Sequence, residues 1–177
     1  LDGVEKELIP ALDAVGEQYE KQIIFLPQLM NAAAASGAAF DEVRRVIGQS
    51  GAAGDGKGPI VLATVEGDIH DIGKNIVRTV LENYGFRVVD LGRDVPAERV
   101  VEAVRQYGAK IVGLSALMTT TVPSMERTIA RLHENGLHVP VIVGGAVLTP
   151  DYAKKIGADY YAKDAKQSAD IAKSILG

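Results

Sequence analysis

The chain has 177 residues and no cysteine, with 19 Lys and Arg against 23 Asp and Glu and a hydrophobic fraction of 47%. That composition suits one globular domain, or a small domain with a helical appendage, and excludes a disulfide framework, a cysteine zinc site and a disordered polar chain. A net charge of -4 without a block of one sign argues against a nucleic-acid partner.

No apolar run is long enough to span a membrane and the N-terminus does not read as a signal peptide, which with the lack of thiols fits a reducing cytoplasm. Residues 1–48 have helical texture and no strand pattern. Val4, Leu8, Leu12, Val15 and Tyr19 recur at helical spacing, and a second helix is expected from Leu26 to about Ile47, with Pro27 in the tolerant first turn. Two helices are few for a bundle, and the sequence opens inside the first, so this helical cap is expected to be N-terminally truncated. Residues 49–58 read as a Gly-rich linker. Gly51 to Lys57 fits the spacing of a phosphate-binding loop, but Gly58 replaces the Ser or Thr and the segment precedes a strand instead of following one.

From residue 59 to 177 strands and helices alternate. Strands are expected near Ile60–Val65, Arg87–Leu91, Ile111–Leu114, Val141–Val143 and Tyr160–Ala162, with helices beginning near Gly73, Pro96, Val122, Thr149 and Ala165. Five short β-branched strands with helical crossovers predict a doubly wound parallel α/β sheet of flavodoxin-like order. Ligands of such sheets bind at the carboxyl ends of the strands. There, after the first strand, stands Asp68-Ile69-His70-Asp71-Ile72-Gly73. A loop His two residues from a carboxylate has what an imidazole metal ligand needs: one nitrogen for the metal, and a carboxylate for the proton on the other. A loop His with an ordinary hydrogen bond is the plainer alternative. His133 and His138 lie in or after a surface helix, where solvent exposure is expected.

A dinucleotide would want a Gly-rich turn after the first strand, whereas Glu66, Asp68 and Asp71 would repel a pyrophosphate. A phospho-receiver would want Asp at the end of the third strand, which instead ends Gly113-Leu114-Ser115. A cofactor that takes a His ligand and a long cleft remains. Ser115 to Thr121 and Gly144-Gly145-Ala146 could line that cleft, although turn chemistry alone would also put such residues there.

Gly67-Asp68-Ile69-His70-Asp71-Ile72-Gly73-Lys74-Asn75, Val89-Asp90-Leu91-Gly92, Val95-Pro96-Ala97-Glu98, Gly113-Leu114-Ser115, Gly144-Gly145-Ala146 and the cap text Phe25-Leu26-Pro27-Gln28 together resemble a known family. It is the cobalamin-binding module of vitamin B12-dependent methionine synthase and the related corrinoid methyltransferase proteins, and the resemblance covers essentially the whole chain. It implies a cobalamin or other cobamide cofactor with His70 as lower cobalt ligand in place of the cofactor's own base. Asp68 would hold the far imidazole nitrogen, and Thr121 would complete the relay to solvent where the family has Ser. Gly67, Ile69, Asp71, Gly73 and Leu117 belong to the cofactor-binding loops. Ser115, Thr119, Gly144, Gly145 and Ala165 fall on positions expected to bind the displaced nucleotide tail, with Ala146 beside them among the cofactor-binding residues. In the cap, Glu5, Tyr19, Leu26 and Leu29 fall on positions over the upper face; for Tyr19, Leu26 and Leu29 helix packing is the alternative reading.

The resemblance implies a methyl carrier, with the Gly-rich linker as hinge for the cap. Its partners would be methyl-donor, methyl-acceptor and reductive-activation modules, with homocysteine and methyltetrahydrofolate as substrates in the methionine synthase reading. The chain itself has no substrate module. The cap text Ile24 to Met30 tilts the reading toward methionine synthase; the alternative is a separate corrinoid protein serving methanol, methylamine or methoxy-compound methyltransferases.

Overall fold

The computed structural model of the protein describes residues 7, 9–49 and 57–177. The expectations at Val4, Glu5 and Leu8, and at linker residues 50–56, fall outside them. The chain runs α1 (Ile9–Glu20), α2 (Leu26–Gln49), β1 (Lys57–Thr64), α3 (Ile72–Asn83), β2 (Phe86–Asp90), α4 (Ala97–Tyr107), β3 (Ile111–Ser115), α5 (Val122–Glu134), β4 (Val141–Gly144), α6 (Pro150–Lys155), β5 (Tyr160–Tyr161) and α7 (Ala165–Leu176). The strands form one parallel sheet in the order β2-β1-β3-β4-β5, the flavodoxin-like arrangement expected. From β1 the chain turns to one side for β2 and then crosses back to β3, so a crevice opens where β1 and β3 end.

Element bounds differ from expectation chiefly around the linker. α2 continues to Gln49, and β1 begins at Lys57, ahead of Pro59. A proline removes one ladder donor, and the β1–β2 register slips between Lys57 and Ile60 to accommodate it. The Pro59 carbonyl is still used, accepting the Lys110 N–H at 2.8 Å.

Alternation along the strands creates two unlike faces. Val61 and Ala63 of β1 and Val65 just after it join Val112, Leu114, Val141 and Val143 beneath α4, α5 and α6, where Val100, Val104, Met125, Ile129, Leu132 and Ile156 complete a dense core. Ile60 and Leu62 face the other way with Ile111 and Ile142, toward Val80 and Leu81 of α3 and the stripe Ala165, Ala169 and Ala172 of α7. Large side chains close the first face. Small ones on α7 leave room on the second.

The cap packs on that second face. Leu12 of α1 joins the core cluster of α3 and α7. Gly16 is buried against Lys166, and a Cβ there would run into the lysine side chain. Both carboxylate oxygens of Asp13 accept from Lys173 Nζ, at 2.9 and 3.0 Å, and Oδ1 also accepts the Tyr84 hydroxyl at 3.1 Å. Burial first, and then the neighbouring Asp13 carboxylate, raise the Tyr84 phenol far above its ordinary range. The hydroxyl therefore remains a donor.

Candidate cofactor-binding site

Three backbone facts fix the loop after β1. The Asp68 N–H reaches the Val65 carbonyl, the Asp94 N–H reaches the Asp68 carbonyl, and the Gly67 N–H, at φ 84°, reaches Asp94 Oδ1 at 2.7 Å. Asp68 is thereby held with no solvent exposure. Its Oδ1 accepts the His70 N–H at 3.0 Å and pairs with His70 Nδ1 at 2.8 Å. Its Oδ2 accepts the Leu117 and Met118 N–H groups at 2.7 and 3.3 Å and the Thr121 hydroxyl at 2.8 Å. Burial would push this carboxyl up. The donors from His70, Leu117 and Thr121 outweigh it and hold Asp68 well below the usual carboxylate range. With Nδ1 engaged, Nε2 is the ring nitrogen left for a ligand.

His70 lies on the wall of a cavity of about 740 Å³. Around it stand Ile72, Ile69 and Leu117, exposed at 77%, 60% and 42%. Tyr19, Leu26 and Leu29 of the cap line the same cavity, as do Asp71 and Gly73. It runs down the second face of the sheet past Leu62, Val77 and Ile142 to Ala172, with Ser115 and Ser168 as hydroxyls on its wall. Gly144, Gly145, Ala146 and Ala165 also line it.

Four expected residues stand elsewhere. Asp68, Gly67 and Thr121 lie behind the wall and hold His70 or its loop. Thr119 lies exposed in the turn before α5, outside the cavity lining, because the chain reverses there and directs it outward. Glu5 falls outside the described residues. Thr121 is buried, and its oxygen is also 2.9 Å from the Met118 carbonyl. Gly145 has a different reason for being glycine than ligand approach alone. Its φ is 144°, and a Cβ would collide with the carbonyl oxygen of Ala116. His133 and His138 are exposed, as expected, and stack with ring centroids 5.9 Å apart.

Two features escaped the sequence. Lys74 is buried and its ammonium lies 2.6 and 2.7 Å from the Asp90 carboxylate oxygens, tying the start of α3 to the end of β2. Arg93 lines the cavity from the β2–α4 loop. Lysine within a DIGKN string was the only available hint of the first; the second had none.

The residues fit a cobamide. A single imidazole nitrogen suits a cobalt already held by a macrocycle, the exposed apolar side chains around His70 suit its face, and a Cβ built on Gly73 meets nothing within 4 Å. The slot beside β1 and β3 suits an extended aromatic tail.

Fold and site thus define an α/β corrinoid-binding protein with a helical cap. Family models described as B12 binding domain match residues 58–170 and, for a second such model, residues 1–44. The dimethylamine corrinoid protein 1 of Methanosarcina acetivorans is 45% identical over 98% of this chain and 82% of its own length. A cobalamin-binding protein from Desulfitobacterium hafniense superposes with a TM-score of 0.82 at 37% identity, covering 94% of this chain and 78% of that one. The methanol:cobalamin methyltransferase complex MtaBC of Methanosarcina barkeri gives 0.84 at 36% identity, covering 99% and 67%. The chain belongs to the cobalamin-binding corrinoid proteins of the methyltransferase family, and its cofactor is a cobamide. These relatives favour the corrinoid-protein alternative over the methionine synthase reading, for which the cap text was too small a sample. No helix among the described residues is long and apolar enough to cross a membrane.

Proposed function

We propose that this protein is the methyl-carrying corrinoid protein of a methylamine-type methyltransferase system. It receives a methyl group from a substrate-specific methyltransferase and presents it to a second one. The relatives named above support the methylamine class, since dimethylamine stands in the name of one that matches nearly the whole chain. When bound, the cobamide supplies the cobalt that takes up and gives away the methyl group.

The observation that carries the reading is the contact between Asp68 Oδ1 and His70 Nδ1, 2.8 Å, at the cavity mouth. With the proton on Nδ1 held by Asp68, the His70 lone pair at Nε2 would hold the cobalt of a bound cobamide. The buried Asp68 carboxylate orients the ring and would raise the basicity of Nε2 toward the cobalt of a bound cobamide. Leu117, Met118 and Thr121 keep Asp68 charged. Tyr19, Leu26 and Leu29 exclude water from the reacting face and move with the cap when a partner enters. Ser115, Gly144, Gly145, Ala146 and Ala165 line the slot for the tail, and Ile69, Asp71, Gly73 and Leu117 surround the ring.

The test is electron paramagnetic resonance of the protein loaded with cobamide and reduced to cobalt(II). Hyperfine splitting from one imidazole nitrogen is expected, and histidine labelled with nitrogen-15 should change it. A spectrum indifferent to the label sinks the ligand assignment. Methyl transfer assayed with dimethylamine and its methyltransferase, against homocysteine with methyltetrahydrofolate, separates the two substrate readings.

A further inference from the structure

The β2–α4 loop is strapped to its surroundings on both sides. The Thr64 N–H reaches the Gly92 carbonyl, the Val95 N–H reaches the Thr64 carbonyl, and the Asp94 N–H reaches the Asp68 carbonyl. Gly92 has φ 88° and Asp94 φ 53°, so the residue between them is carried on a sharply turned backbone. That residue is Arg93, and its side chain lines the cavity that His70 lines.

Arginine at such a place ordinarily pairs with the nearest acid. Here Asp90 is occupied on both carboxylate oxygens and Asp94 on one. Asp94 Oδ1 receives the Gly67 N–H at 2.7 Å. Asp90 receives Lys74 Nζ on both oxygens, the Gly92 N–H at 2.9 Å and the Arg78 guanidinium at 3.7 Å. Among the described residues Arg93 makes no ion pair and no side-chain hydrogen bond. Asp71 lines the same cavity. It occupies the N-cap position of α3 yet makes no side-chain capping bond. The cavity wall therefore offers an unspent donor fork and an unspent carboxylate.

We propose that Arg93 is a corrin-binding residue: its guanidinium donates to the oxygen of a carboxamide side chain on the ring's edge. A primary amide both accepts and donates, so a cavity lined by a guanidinium and a carboxylate can meet both of its ends. The fixed backbone on either side of Arg93 means that little loop ordering is left for the binding step. This rests on the cobamide reading of the cavity and extends it to the periphery of the ring.

The test titrates the parent protein, Arg93→Ala, Arg93→Lys and Ser168→Leu with aquocobalamin and with diaquocobinamide, which has the ring but no nucleotide tail. Thermal melting of each cofactor-free variant serves as the folding control, and exposed Arg93 should leave it unchanged. Arg93→Ala should weaken both corrinoids by at least about tenfold, the scale of one charge-assisted hydrogen bond. Arg93→Lys, which keeps the charge without the fork, should recover part of the loss. Ser168→Leu, in the slot, should weaken cobalamin and spare cobinamide. Equal affinities of parent and Arg93→Ala for both ligands overturn the proposal. The same equality with impaired binding of a methylamine methyltransferase would make Arg93 a docking residue instead. Uptake of cobalamin by the parent reports separately on the cofactor reading, so the two can fail independently.

Discussion

Thr121 occupies the N-cap of α5, but its hydroxyl points to Asp68 Oδ2 at 2.8 Å and makes no capping bond. A Thr at that position normally satisfies one of the helix's free N–H groups. Pro123 in the first turn has no N–H to satisfy, and the Ser124 N–H is met by the Thr121 carbonyl, so the helix tolerates the diversion. Thr121→Ser should therefore be near neutral. Thr121→Val should lower stability by about 1–2 kcal/mol, because the buried carboxylate loses a donor. Urea unfolding of the cofactor-free protein measures both.

Asp68→Asn should show its effect through pH. The folded pKa of Asp68 lies below its unfolded value of about 3.9, so its stabilisation is fully present above that value and is lost as pH falls toward the folded one. The variant should be less stable than the parent by about 2–4 kcal/mol near pH 7, since an amide cannot accept all the donors that converge there. The gap should hold above about pH 4 and narrow as the pH is taken below it. A gap independent of pH over that range contradicts the assignment.

Two glycines should respond in opposite ways. Gly145→Ala puts a Cβ into the Ala116 carbonyl at φ 144° and should cost the fold several kcal/mol, roughly the range of strained backbone plus overpacking. Gly73→Ala lies in the first turn of α3 with open space around its Cβ, and should raise the melting temperature slightly or leave it alone. It should nonetheless weaken cobamide binding, because the space it fills is at the mouth beside His70. Melting curves and spectral titration on the same samples separate the two effects.

Lys74→Ala would strip Asp90 of its closest partner and should destabilise by about 3–5 kcal/mol, the range for a broken buried pair. Replacing both residues by Met and Asn should recover much of that loss. Denaturant unfolding of the parent, Lys74→Met, Asp90→Asn and the double variant, read as a double-mutant cycle with Lys74→Ala measured beside them, checks it.

The fold was legible where hydrophobicity is local. The runs around Ile60, Ile111 and Val141 alternate with helical segments, and the observed sheet keeps all five expected strands. Asp68 and His70 were legible because their contact spans two residues. Arg93 was not, since its role depends on Asp90 and Asp94 being engaged by Lys74 and Gly67, and on two positive φ angles. Thr119 misled because a run of three threonines does not say which one the turn directs inward. Gly145 was read as room for a ligand; it lines the cavity, and the Ala116 carbonyl just after β3 requires the glycine independently.

Asp13 gives a further expectation. With its partner Lys173 and the Tyr84 hydroxyl it joins α1 of the cap to α7 and α3. Asp13→Ala should loosen α1 while leaving the sheet intact. For a partly exposed pair the effect is at most about 1 kcal/mol, or roughly fivefold faster hydrogen exchange in α1. Exchange that rises equally in β1 and β3 would mean that the cluster supports the whole molecule and not the cap.

The unlike faces of the sheet also bear on how such proteins diversify. Met125, Ile129, Leu132 and the valines beneath α4 and α5 hold the strands together without touching the cavity. Substitutions at Ser168 or Ala172 of α7 alter the slot without disturbing that packing. A lineage could thus change the nucleotide base its cobamide carries through a few steps on one helix, with the opposite face as a reserve of stability that absorbs the cost.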